Sequence, residues 1–83
     1  MKALKFEASW CQPCKMMTKI MDDAAEQITI PVEKVDIDEK MELAKQYGIR
    51  GVPTLVLVDD EGKEIKRQSG VMMEAQLLEF LKG

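Results

Sequence analysis

Histidine is absent from the 83-residue chain. That removes Ser-His-Asp and Cys-His catalysis and every histidine-liganded zinc site. Only two cysteines are present, too few to close a tetrahedral four-cysteine site within one chain. No apolar run reaches the roughly 18 residues needed to span a bilayer. The opening MKALKFEASW lacks the apolar stretch of about 7–15 residues that marks a signal peptide. A cytoplasmic setting is the resulting expectation, and there a disulfide is more often catalytic than structural. A basic excess is missing too. The 12 Lys and Arg stand against 15 Asp and Glu, a formal net charge of −3 with no basic cluster, so neither a phosphate-binding surface nor a nucleic-acid partner is expected.

What is present describes one small globular domain over residues 1–83. Apolar residues make up 46% of the chain and charged residues 33%, a mix that is neither disordered nor membrane-like. A chain of this length buries roughly 60–65% of the surface its unfolded form exposes, enough for a single modest core. Neither an internal repeat nor a linker divides it.

Hydrophobic periodicity lays out the elements. Lys2 to Ala8 alternates, with Leu4, Phe6 and Ala8 set against Lys5 and Glu7, which predicts a strand. From Pro13 to about Ile28 a helical stripe runs through Met16, Ile20, Ala24 and Ile28, flanked by Met17, Met21 and Ala25, with Pro13 suited to the first turn. Val32 to Ile37 reads as a second strand, and Glu39 to Tyr47 as a short helix apolar at Leu43, Ala44 and Tyr47 and capped by Gly48. Thr54 to Val58 is an unbroken run of β-formers, predicted to be a central strand covered on both faces. Asp59 to Gly62 forms a turn into a more polar strand over Lys63 to Ser69. Met73 to Leu81 closes the chain as a helix, with Leu77, Leu78 and Leu81 inward. The fold class is α/β, in the order β-α-β-α-β-β-α, with a four-stranded mixed sheet flanked by helices.

Chemistry concentrates at Trp10-Cys11-Gln12-Pro13-Cys14-Lys15. Two cysteines placed at random would show this spacing only about 2% of the time. They fall where the first strand gives way to the first helix. Unsatisfied amide N–H groups and the positive end of the helix dipole would favour a thiolate at Cys11, the nucleophilic form. Cys14, one turn on, lies within reach of it. From the residues alone, a structural disulfide or half of a metal site shared between two chains stay open. The seven methionines read as core filler more readily than as a binding surface.

WCQPCK after a strand, YGIRGVPT further on, and Gly70 before a final helix together resemble the thioredoxin family over essentially the whole chain. The resemblance implies a thiol–disulfide oxidoreductase, a protein-disulfide reductase in which Cys11 attacks, Cys14 resolves, and Pro53 is a cis-proline set against the dithiol. It also implies that Trp10, Gly51, Val52, Gly70 and Val71 form a flat apolar patch, where a substrate segment pairs with the backbone beside Val52. It further implies disulfide-containing protein substrates, a thioredoxin-reductase-type electron donor, no metal or organic cofactor, no membrane partner and a monomer. A glutaredoxin-like reductant, suggested by the short length, remains an alternative. So does a binding subunit on the same fold, in which the redox chemistry is incidental.

Three departures from the family pattern shape the expectations. The chain begins at the family's central strand, so the strand and helix that usually precede it are expected to be missing. Gln12 stands where glycine is usual, which would restrict docking, while Pro13 keeps the expectation of a reducing dithiol. Lys5 aligns with the family's buried aspartate, which takes the proton of the resolving cysteine, and Lys34 aligns with that aspartate's lysine neighbour. Two buried ammonium groups side by side would be very costly. The expectation is therefore a compensated cluster of Lys5, Glu7, Lys34 and Asp36 on a comparatively wet face. Glu7 or solvent then replaces the missing base, and Lys5 helps to hold Cys11 or Cys14 as thiolate.

Overall fold

The computed structural model describes residues 1–82. Its elements are β1 (Lys2–Glu7), α1 (Gln12–Asp23), β2 (Val32–Asp36), α2 (Met41–Gln46), β3 (Thr54–Val58), β4 (Glu64–Ser69) and α3 (Glu74–Phe80), with a 3₁₀ turn at Ala25–Gln27. The sheet order is β2-β1-β3-β4. β1 pairs in parallel with β2 and antiparallel with β3, and β3 pairs antiparallel with β4. The element order along the chain and the four-stranded mixed sheet are as predicted. Among the described residues, no helix is long and apolar enough to cross a membrane.

The two central strands carry the core on both faces. Ala3, Leu55 and Leu57 pack with Met17 and Met21 of α1 and with Met72, Leu77 and Leu81 around α3. Leu4, Phe6, Val35, Val56 and Val58 pack against Leu43, Ala44 and Tyr47 from the α2 side. The Phe6 and Tyr47 rings lie 5.8 Å apart. Every residue of β3 is buried, as its lack of alternation predicts. α2 ends as Gly48 predicts, with φ 63° and the Gly48 and Ile49 amides donating to Lys45 and Ala44 carbonyls at 3.0 and 2.9 Å. That geometry needs a left-handed residue, which glycine supplies without a Cβ clash.

The first helix differs from expectation in length and in facing. Helical structure stops at Asp23, and Ala24 turns out of it before the 3₁₀ turn. Asp22 and Asp23 put negative charge at the C-terminal end of the dipole, and no basic residue in the last turn offsets it. The buried stripe runs through Cys14, Met17, Met21 and Ala24, whereas Met16, expected inward, is exposed. Met17 and Met21 thus take the buried places predicted for Met16 and Ile20, while Ala24 is buried as predicted.

The β3–β4 hairpin is held by Asp59. Its carboxylate accepts the amides of Glu61 and Lys63, both at 2.9 Å, and Gly62 takes φ 82°. An irregularity at Leu57/Val58 leaves Ile65 as the extra residue of β4. The amides of Lys63 and then Glu61 hold the Asp59 carboxyl below the usual aspartate range. Such a group contributes stability above its unfolded pKa, about 3.9, and loses it as pH falls through the lower folded value. Asp59→Ala is therefore expected to lower the urea midpoint at neutral pH. The gap to wild type should close as pH falls below about 4, and a gap that persisted under acid would assign the loss to something other than the carboxylate.

Candidate functional site

The end of β1 delivers the chain to the start of α1, and Cys11 occupies the position that caps this helix. Its backbone is extended (φ −95°, ψ 107°), and its Sγ accepts the Cys14 amide at 3.1 Å. A sulfur at an N-cap takes up one of the otherwise unpaired amides at the positive end of the dipole. Cys11 and Cys14 are bridged, with Cα atoms 5.2 Å apart. Both are almost wholly buried. The bridged pair packs with Ala8, Ile37 and Val52. Gln12 and Pro13, the two residues between the cysteines, are exposed. Among the described residues, no group of three or more His, Cys, Asp or Glu side chains could hold a metal ion.

Of the predicted patch residues, Val52 packs on this sulfur pair. The Val52–Pro53 peptide is cis, and the Val52 carbonyl oxygen lies 3.6 Å from Cys11 Sγ. Among the described residues nothing engages the Val52 amide. Gly51 is fixed by Thr54, whose hydroxyl donates to the Gly51 carbonyl at 2.7 Å. Gly70, at φ 89°, donates its amide to the Pro53 carbonyl at 2.8 Å and so ties the loop before α3 to the proline loop, with Val71 next to it. Trp10 is 65% exposed, and its indole N–H donates to Asp38 Oδ2 at 2.9 Å. Nothing in the spacing of Asp38 announced a partner for Trp10.

Behind the dithiol, the expected four-charge cluster does not form. Lys5 is 1% exposed, on the α1 side of the sheet, although a cavity of about 270 Å³ runs past it to Lys34. Its Nζ pairs with Glu7 and donates to the Thr18 hydroxyl, which in turn donates to the Cys14 carbonyl at 3.0 Å. Lys34 lies beside Lys5 in register but is exposed, and it takes no part in the pair. β2 is an edge strand, which lets the second ammonium reach water. Asp36 turns instead to the amides of Asp38 and Glu39, at 2.8 and 3.2 Å. Thr18 was not singled out in the sequence, although its place four residues after Cys14 was a usable signal, since a hydroxyl there can reach the carbonyl one turn back. Glu7, Cys14, Thr18 and Asp36 line one cavity of about 180 Å³.

Comparison with known proteins gives a consistent result. The thioredoxin family model matches residues 2–83. A thioredoxin of Chlamydia trachomatis is 39% identical over 79 residues, which span 94% of this chain and 76% of that protein. The SPbeta prophage-derived thioredoxin-like protein YosR of Bacillus subtilis is 37% identical over 70 residues, 84% of this chain and 82% of that one. Among solved structures, a point mutant of a thioredoxin from Halobacterium salinarum superposes with a TM-score of 0.88 at 40% identity, over 98% of this chain and 71% of the other.

The Lys5–Glu7 pair is asymmetric, and stability should show it. Glu7 retains 25% side-chain exposure against 1% for Lys5. Glu7→Ala strands a buried ammonium with one hydroxyl for company, and a loss of about 2–4 kcal/mol is expected. Lys5→Met keeps the apolar stem and frees Glu7 toward water, so a loss under about 1.5 kcal/mol is expected. Urea unfolding of the two variants at neutral pH checks the order, and a larger loss from Lys5→Met would contradict it.

Proposed function

The chain belongs to the thioredoxin family of thiol–disulfide oxidoreductases, and within it we propose that Cys11 is the attacking sulfur, Cys14 the resolving one, and a protein disulfide the substrate. One observation carries this reading: Cys11 Sγ caps α1, with the Cys14 amide 3.1 Å away. A thiolate there is stabilised without a nearby histidine or metal. Family members act on disulfide-bearing substrates and are reset by a reductase.

The bridged pair is the oxidised end of the cycle. From the reduced state, the Cys11 thiolate attacks one sulfur of a target disulfide. A Cys11–target bond forms, the target's sulfur–sulfur bond breaks, and the other target sulfur leaves as thiolate and takes up a proton. Cys14 then loses its proton and attacks Cys11 Sγ. The Cys11–Cys14 bond forms, the mixed disulfide breaks, and the second target sulfur leaves reduced. Two electrons have passed from the dithiol to the target. The unengaged Val52 amide and its carbonyl suit an extended target segment lying against the cis-proline loop.

For the proton of Cys14 we propose Glu7 as acceptor. The two share the small cavity behind the dithiol, which is roomy enough for a bridging water, and Lys5 holds the carboxylate in place. Such a cycle needs a reductant in its compartment, and the cytoplasm is the compartment we propose.

Insulin-disulfide reduction tests the main reading. The wild type, recycled by a thioredoxin reductase rather than by glutathione, is expected to precipitate insulin chains. Cys11→Ser should abolish this, and Cys14→Ser should accumulate mixed disulfides with targets. Full biological activity in the Cys11→Ser, Cys14→Ser double variant would favour a binding subunit instead. Glu7→Gln keeps a partner for Lys5 but loses the base, and resolution of the mixed disulfide should slow by about tenfold or more near neutral pH. An unchanged rate removes Glu7 from the mechanism.

A further inference from the structure

The exposed side of α1 carries features that the redox cycle does not use. A shallow groove lined by Gln12, Pro13, Lys15, Met16, Lys19 and Val71 opens beside the dithiol. Val71 lines it and follows Gly70, whose amide bonds the Pro53 carbonyl, so the groove adjoins the proline loop. Met16 is 56% exposed there, an apolar side chain that the core does not use. The groove has a charge as well as a shape. Lys15 and Lys19 lie four residues apart on one helix, where like charges repel. No acidic residue occupies the first turn of α1, and Lys15, the fourth residue of the helix, stands near the end that already favours anions, with Lys19 one turn further on. Among the described residues neither lysine has a carboxylate within ion-pair distance, although Asp22 and Asp23 follow Lys19 on the same helix. The chain as a whole has the opposite balance, with a formal net charge of −3.

We propose that this groove is a specificity subsite for the protein substrate: it takes an apolar side chain close to the target cysteine, followed by an acidic residue that reaches Lys15 and Lys19. The proposal rests on the reductase reading and adds the class of substrate segment to it. Three residues of extended chain reach about 10 Å, so the apolar anchor lies within a few residues of the attacked cysteine. The carboxylate relieves the repulsion between the two lysines and meets the positive end of α1, while Met16 adapts to the apolar side chain, as an unbranched thioether does. Reaction is thereby faster for apolar–acidic flanks than for apolar–basic ones.

The test uses three disulfide-bridged peptides that differ only after one cysteine, carrying Leu-Glu, Leu-Lys or Ser-Glu, with kcat/KM measured for each on the full chain. The wild type is expected to prefer Leu-Glu over Leu-Lys by about tenfold. That ratio should shrink to about twofold in the Lys15→Gln, Lys19→Gln variant, and likewise at about 0.5 M salt. Met16→Ser should lower the preference for Leu-Glu over Ser-Glu while leaving the charge ratio in place. Equal rates for all three peptides would overturn the subsite while leaving the reductase intact. A charge ratio that survived removal of both lysines would overturn it too, as would concentration-dependent self-association abolished by Met16→Ser, which would give the groove to a second copy. No reduction of insulin or of any peptide would instead overturn the reductase reading beneath it.

Discussion

The molecule turns on where a strand stops and a helix starts. β1 runs down the middle of the sheet, paired on both sides, so its end is fixed in space by two neighbours. Four residues after β1 ends, Cys11 caps α1, and the sulfur inherits that fixed position together with the field of the helix. The proline loop leads into β3, the other central strand, and Gly70 follows β4. Every group around the sulfur therefore hangs from the same rigid sheet. Mobility at the site would have to come from the connections, and the Gly70–Pro53 hydrogen bond joins two of these to each other.

A chain of 83 residues has little core to spare, yet it places an ammonium group in the central strand. Lys5 is tolerated because its partners are local: Glu7 stands two residues along the same face, and Thr18 faces it from α1. Among the described residues no buried side-chain nitrogen or oxygen lacks a hydrogen-bond partner. The charge is thus compensated, and the compensation ends at the backbone of Cys14. The buried charge is linked to the sulfur pair by two successive hydrogen bonds, Lys5 to Thr18 and Thr18 to the Cys14 carbonyl.

Most of the fold could be read from the chain because its strands differ in kind. Thr54–Val58 has no polar face to misplace, and its observed bounds match the predicted ones. Gly48 and Gly62 mark the turns at which they stand, since the left-handed backbone there favours glycine. The dithiol and Pro53 were legible as motifs. Less legible was anything decided by orientation. The stripe of α1 slipped by one residue because Met16 and Met17 are the same residue type, and only packing distinguishes the exposed one from the buried one. Lys34 and Lys5 look alike on paper, but one lies on an edge strand and the other at the centre. Thr18 and Asp38 act through single hydrogen bonds, which leave no pattern in a sequence.

The irregularity at Leu57/Val58 has a consequence for how freely the molecule can change. From Thr54↔Ser69 to Leu57↔Lys66 the β3–β4 ladder is in continuous register, and the slip falls beyond it, next to the turn. Any lengthening of the hairpin tip is taken up there, on the side of the ladder away from the reactive sulfur. A change in the length of the tip accordingly leaves the paired residues nearest the reactive sulfur in register.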